Sequence, residues 1–322
     1  MTIAHRVDVH HHILPDFYLD AMGALVARET AALGVPKWSP EAMLAHLEAW
    51  GIAAAVVSVS SPGVHRGDDR DARDLARRCN EYLAELSARD RRIGAFAVLP
   101  LPEVDGALVE LAHALDTLHL DGVILLSSYA GTNLGDPAFD DVFSELDRRH
   151  AVVLLHPTAP PSSPHAKLDI PGPVLEFVFD TTRAVANLIY SGTLDRYPNV
   201  RVIVSHAGGT APFLAWRIGA GWMLPGVRQR APQGVMAYLR HLYYDTALSA
   251  AAPALRALQQ VADPSHILFG SDFPFAPEPV TRMMIDGLAS YDGLDEAGRL
   301  KVERENALAL FPRLQTALSS QT

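Results

Sequence analysis

Short apolar runs alternate along this chain with longer stretches in which apolar residues recur every three or four positions. The runs are Arg6–His10, Ala53–Val59, Ile93–Leu99, Gly122–Leu126, Val152–Leu155, Val200–Val204, Leu242–Asp245 and Ile267–Gly270. Short, near-continuously apolar and rich in Val, Ile and Leu, they read as strands buried on both faces, as in a parallel sheet. Between them the longer period predicts helices. One opens on Ser39-Pro40-Glu41, an N-cap serine followed by a proline in the first turn, and runs to Gly51. Asp71–Ala88, Val104–Leu118, Asp136–Arg149, Val174–Tyr197, Ala211–Gly219 and Ala252–Val261 follow, and Val280–Ser290 and Asp295–Phe311 close the chain. Eight strands, each followed by a helix, over about 300 residues is what a (β/α)8 TIM-like barrel of the α/β class requires. No glycine-rich phosphate loop follows any of these strands, which sets aside the open doubly wound sheet. With no linker visible, the expectation is a single barrel domain over residues 1–322. The longest loop, Pro157–Pro173, follows a strand directly, which places it over the strand C-termini as a lid or pocket wall.

Composition narrows the function classes. The 322 residues are 49% hydrophobic and 20% charged, with a formal net charge of -10. That balance argues against a nucleic-acid partner, which calls for clustered Lys and Arg. Cys79 is the only cysteine, so neither a disulfide nor a thiolate metal cluster forms within the chain, and its helical setting reads as a packed or half-exposed thiol. No apolar run is long enough to span a membrane. No basic segment followed by an apolar one precedes the first strand, so the cytoplasm is the expected location.

The candidate chemistry sits where strands end. In Val7-Asp8-Val9-His10-His11-His12 alternate side chains share a face, so His10 and His12 point one way and His11 the other, toward the layer between barrel and helices. Three more strands end in a residue able to bind or activate at a metal: His156, His206 and, after Ser271, Asp272. Residues at the C-terminal mouth of different barrel strands face one pocket, so these distant positions converge on a histidine-rich, carboxylate-assisted site for a divalent ion. His5, His46, His65, His113, His119, His150, His241 and His266 lie on helices, turns or strand starts and read as surface residues; His165 lies in the long loop. Phe17, Tyr18, Trp38, Phe273 and Phe275 fall near the expected mouth and suit a flat aromatic ring, or pack loops onto the rim.

The stretches His10-His11-His12-Ile13-Leu14-Pro15, His156-Pro157, His206-Ala207-Gly208-Gly209 and Gly270-Ser271-Asp272-Phe273-Pro274-Phe275 resemble the amidohydrolase superfamily. Within it they are similar to the amidohydrolase-related decarboxylases that act on 2-amino-3-carboxymuconate-6-semialdehyde and on 6-methylsalicylate. Asp180-Thr181-Thr182-Arg183-Ala184, the segment 191–198 and Glu305-Asn306-Ala307 fit the same pattern, so the resemblance runs from about residue 6 to 311. It implies His10, His12, His156 and Asp272 as metal ligands and His206 as the nearby acid/base. It also implies Arg217 as an arginine offered to the substrate carboxylate from a neighbouring subunit of a homodimer, with Arg183 and Arg66 as weaker candidates for the same task. Phe275 is expected against the substrate. The strand Gly122–Leu126 ends in Ser127-Ser128-Tyr129 rather than in the modified lysine of many two-metal hydrolases, so one ion is expected.

Three imidazoles and a carboxylate suit Zn²⁺, with Mn²⁺ as the alternative. The implied activity is non-oxidative decarboxylation of a small hydroxy-aromatic acid such as 6-methylsalicylate, with Asp272 or His206 supplying the proton. A muconate-semialdehyde-type acid, or hydrolysis of an amide or lactone by the same ligands, are the alternatives. A barrel using metal only for stability is a third reading, and ligands spread over a barrel mouth argue against it.

Overall fold

The computed structural model describes residues 5–159 and 170–319. Eight parallel strands form one sheet in chain order: β1 (Arg6–Ile13), β2 (Ile52–Val59), β3 (Ile93–Val98), β4 (Gly122–Leu126), β5 (Val152–His156), β6 (Arg201–Val204), β7 (Tyr243–Asp245) and β8 (Ile267–Leu268). Nearly every strand residue is buried, because side chains on one face fill the barrel and those on the other pack under helices. The barrel closes between β8 and β1, where the Val9 amide donates to the Phe269 carbonyl (3.0 Å) and the Asp272 amide to that of His10 (2.8 Å).

Eight strands appear where the apolar runs place them, but β1 continues to Ile13, beyond its expected end at His10. The polar run His10-His11-His12 reads as the end of a strand, yet all three imidazoles are fully buried and the ladder continues through them. The serine-capped helix is present as Pro40–Ala49, with the Ser39 hydroxyl accepting from the Ala42 amide.

Other elements also depart from the expected pattern. A helix at Asp16–Thr30, α1, was not foreseen; its buried residues Tyr18, Met22, Val26 and Thr30 lie four apart, a narrow stripe in a segment otherwise of mixed polarity. The helix expected over Val174–Tyr197 ends as α2 (Gly172–Tyr190), because Gly192 turns left-handed at φ 80° and a Cβ there would stand 2.8 Å from the Arg230 carbonyl oxygen. Beyond β4, Ser128–Tyr129 and Thr132–Asn133 pair as a short antiparallel hairpin. The long loop expected as a lid falls largely outside the described residues, as does His165. No described helix is long and apolar enough to cross a membrane. Cys79 is buried, and burial pushes its thiol up to about 12, as a packed thiol requires.

Candidate metal centre

Four strand ends deliver the cluster. His10 and His12 come from β1, His156 from the last position of β5, His206 from the turn after β6 and Asp272 from the segment after β8. His10, His156, His206 and Asp272 each turn one ligand atom to within 4.8 Å of the others. His12 completes the group, its Nε2 standing 3.0 Å from His10 Nε2 and 3.4 Å from Asp272 Oδ1. His10 Nε2 is also 3.4 Å from Asp272 Oδ1, and His206 Nε2 is 3.6 Å from Oδ2. His206 and Asp272 hold left-handed backbone, φ 55° and 57°, which costs a non-glycine residue on the order of 1–3 kcal/mol. Such conformations persist where the surroundings over-determine them. Gly270 is required by the same crowding, since a Cβ there would lie 2.8 Å from His10 Cβ.

The outer nitrogens fix which nitrogen each imidazole presents. His10 Nδ1 donates to Asp245 Oδ2 (2.8 Å) and His156 Nδ1 to the Pro157 carbonyl (2.7 Å). The Ser58 hydroxyl donates to the His11 carbonyl (3.4 Å), leaving its oxygen to accept from His12 Nδ1 (2.9 Å). With the three Nδ1–H groups committed outward, three Nε2 lone pairs point inward. Lone pairs of His10 and His12 at 3.0 Å repel unless a positive charge lies between them. Burial would lower the His10 imidazole, but the Asp245 and Asp272 carboxylates push it up to about 10, so a positive charge is favoured at this point. Burial takes His12 down to about 4 and His156 well below its usual range, the neighbouring imidazoles adding to the effect. Burial would raise the Asp272 carboxyl, but bonds from His10, His12 and His206 outweigh it and hold it well below the carboxylate range. The donor set therefore fits a divalent cation, and a His/His/His/Asp site for one is present.

Sequence reasoning missed the groups behind the ligands. Asp245, the last residue of β7, is fully buried; besides His10 it accepts from the amides of His206 and Ala247, each at 3.0 Å. Its place at a strand end was the available signal. Asp8 accepts from the Ser271 amide (3.0 Å) and hydroxyl (2.6 Å) and from His11 Nδ1 (2.8 Å), so it anchors the turn that carries Asp272. His11 faces away from the cluster, as its register requires, and packs on Phe273 and His46. His46 is thus half-buried rather than a surface residue, and burial lowers it to about 4.

Beside the cluster lies a cavity of about 530 Å³, lined by His156, His206 and Asp272 and by Phe177, Phe275 and Glu29 among others. Of the aromatic residues expected at the mouth, Phe275 lines it, its ring 5.6 Å from that of His12. Tyr18 instead buries its ring and donates to the Gly63 carbonyl, while Phe17 and Trp38 pack on Tyr82. Arg183 and Arg217 are exposed, and neither lines the cavity within this chain. Arg183 sits on the solvent side of α2, which turns Phe177 and Val178 to the cavity. Arg66 pairs with Asp71 at the surface. Among the described lining residues there is no Lys or Arg.

The amidohydrolase family model matches residues 7–313. The chain belongs to the amidohydrolase family. This amidohydrolase is 37% identical to the 6-methylsalicylic acid decarboxylase of Aspergillus aculeatus, over 97% of each chain. It also superimposes on a solved 2,6-dihydroxybenzoate decarboxylase bound to 2,6-dihydroxybenzoate, with a TM-score of 0.80 and 26% identity, covering 96% of this chain and all of the other. A solved dihydroxybenzoic acid decarboxylase from Polaromonas sp. JS666, with bound manganese and 2-nitroresorcinol, gives a TM-score of 0.79 at 22% identity over 96% and 97% of the two chains.

Proposed function

We propose that this amidohydrolase is a metal-dependent, non-oxidative decarboxylase of a small hydroxy-aromatic acid of the 6-methylsalicylate type. The observation that carries the reading is the inward-facing cluster of imidazole nitrogens and Asp272 opening onto a largely apolar cavity. His10, His12, His156 and Asp272 would hold the ion, with Zn²⁺ favoured by the ligand chemistry and the manganese of the Polaromonas protein marking the alternative. When bound, the ion would supply a Lewis acid at the acid end of the substrate.

The residues of the chain do the rest. Phe275 and Phe177 offer edges and faces to the ring and keep water from it. Asp272 gives a proton to the ring carbon bearing the carboxylate. The bond to CO₂ then breaks, and its electron pair returns to the ring. Resting Asp272 is the anion, so it takes that proton from the ortho hydroxyl or through His206 before delivering it. His206 hydrogen-bonds the carboxylate; its Nδ1 is buried without a partner among the described residues, free to bond a ligand or water.

Among the described residues no Lys or Arg lines the cavity, and Arg217 lies beside Phe213 and Trp216, which are 83% and 89% exposed on the same helix, Ala211–Ala220. Large apolar side chains left in water at i and i+3 mark a face that another surface covers. In a homodimer that buries them, Arg217 would be the arginine offered to the partner's substrate carboxylate, as the resemblance implies.

The test is release of CO₂ and the matching phenol by the metal-loaded protein from 6-methylsalicylate, salicylate and 2,3-dihydroxybenzoate. Asp272→Ala and His206→Ala should each lower kcat/KM by about 10²–10⁴. Metal-loaded protein that releases no CO₂ from any acid of the panel would shift the reading to a muconate-type acid or to lactone hydrolysis.

A further inference from the structure

The cavity holds a second polar station that the decarboxylation chemistry does not use. Glu29, the penultimate residue of α1, lines the cavity together with Ser60 and Ser61 from the exit of β2. A chain of hydrogen bonds runs to its carboxylate. The Ser61 hydroxyl donates to Thr158 Oγ1 (2.9 Å), and the Thr158 hydroxyl donates to Glu29 Oε1 (3.2 Å). The Ala159 amide donates to the same oxygen (3.3 Å). Thr158 itself is two residues beyond the ligand His156, and its amide donates to the buried Asp180 (3.1 Å). Each donor in the chain points toward Glu29, and none of the described lining residues is a Lys or Arg that would neutralise it.

A carboxylate accepts about four hydrogen bonds, and Thr158 and Ala159 give Glu29 two, both on Oε1 at 3.2 and 3.3 Å. That leaves room on the carboxylate for a further donor from the cavity side. Burial pushes the Glu29 carboxyl above its ordinary range despite these bonds, so a further donor would stabilise its charge. A second carboxylate is repelled by it, so the acid end of a ligand goes to the cation-seeking histidine cluster and a donor end goes to Glu29.

We propose that Glu29, supported by Ser61 and Thr158, forms a substituent-recognition subsite that takes a hydrogen-bond donor on the substrate ring, a second hydroxyl or an amino group. The proposal deepens the decarboxylase reading, on which it rests, by naming the substrate class as salicylates with an additional ring donor. A donor bond to a charged group contributes enough to discriminate by roughly ten- to a hundredfold against an analogue that leaves the acceptor unpaired.

The experiment compares isosteric pairs on metal-loaded enzyme: salicylates carrying a hydroxyl at ring positions 3, 4, 5 or 6 against the methyl analogue at the same position. At one position the hydroxyl acid should exceed the methyl acid in kcat/KM by about tenfold or more. Glu29→Leu should collapse that ratio through KM, whatever its absolute rates, and Glu29→Gln, which keeps one acceptor and the side-chain volume, should retain part of it. A merely structural tether of residues 158–159 would depress both members of each pair alike, and that outcome, or a methyl preference at every position, overturns the proposal. Binding of resorcinol against m-cresol by calorimetry runs in parallel. A Glu29-dependent preference for resorcinol without CO₂ release from any acid would uphold the subsite while the decarboxylase reading fails.

Discussion

The two ends of the barrel both bury charge, but they treat it differently. At the N-terminal end, where strands begin, Arg6 Nε donates to Glu303 Oε1 (2.9 Å), and Arg313 grips both oxygens of Asp121 at 2.9 Å each. Arg313 also donates to the Ile93 carbonyl, Asp121 accepts from the Ala95 amide, and Asn306 donates to the carbonyls of Pro264 and Ile267. Each cation has its anion within the chain, and spare donors go to strand ends. At the C-terminal end three imidazole lone pairs and a carboxylate converge without any Lys or Arg among the described residues that line the adjoining cavity. One end is electrically complete as folded. The other is complete only when a cation arrives, and that difference separates a structural cluster from a site.

Attacks on the mouth should cost function with little change in fold, and attacks on the base the reverse. At the mouth the effect is expected on metal retention. Asp245→Asn keeps the side-chain shape but weakens the hold on His10 Nδ1, so metal affinity should fall about 10–100-fold, read by chelator competition and by metal content after dialysis. Unchanged affinity would mean that the His10 orientation does not depend on Asp245. At the base, Glu303→Leu leaves Arg6 buried without its partner, a loss of about 3–5 kcal/mol, read by urea unfolding. The surviving folded fraction should bind metal as the wild type does. Loss of metal binding there would dissolve the distinction between the two ends.

The smallest effect concerns pH and the layer behind the mouth. His46, packed on Phe273, holds its neutral form down to about 4, whereas an unfolded histidine takes up a proton near 6.5. Its contribution to stability is present above pH 6.5 and is lost as pH falls toward 4. Melting temperatures at pH 7 and pH 5 should therefore diverge more for the wild type than for His46→Leu, and equal slopes would show that this imidazole is solvated after all.

Much of this architecture is written locally. Apolar runs locate all eight strands because a strand buried on both faces has no polar positions to break the run. Ser39-Pro40 marks a helix start because the cap acts within one turn, its hydroxyl on the Ala42 amide. The five cluster residues are legible because each lies at or near the C-terminal end of a strand or closely follows one, and strand ends of a barrel share one mouth. Helix α1 was missed because only every fourth residue is buried, a stripe too narrow to stand out from its polarity pattern.

The sequence alone therefore determined the barrel, its strand order and the convergence of His10, His12, His156, His206 and Asp272, since periodicity and strand position are properties of neighbours in the chain. Only the tertiary structure decided that Asp245 and Ser58 aim the imidazoles, that Glu29 rather than Phe17, Tyr18 or Trp38 faces the cavity, and that Arg217 lies exposed on a bare apolar face. Those contacts join residues tens to hundreds of positions apart. They depend on the register between strands and on the closure of β8 onto β1, and no local pattern encodes either.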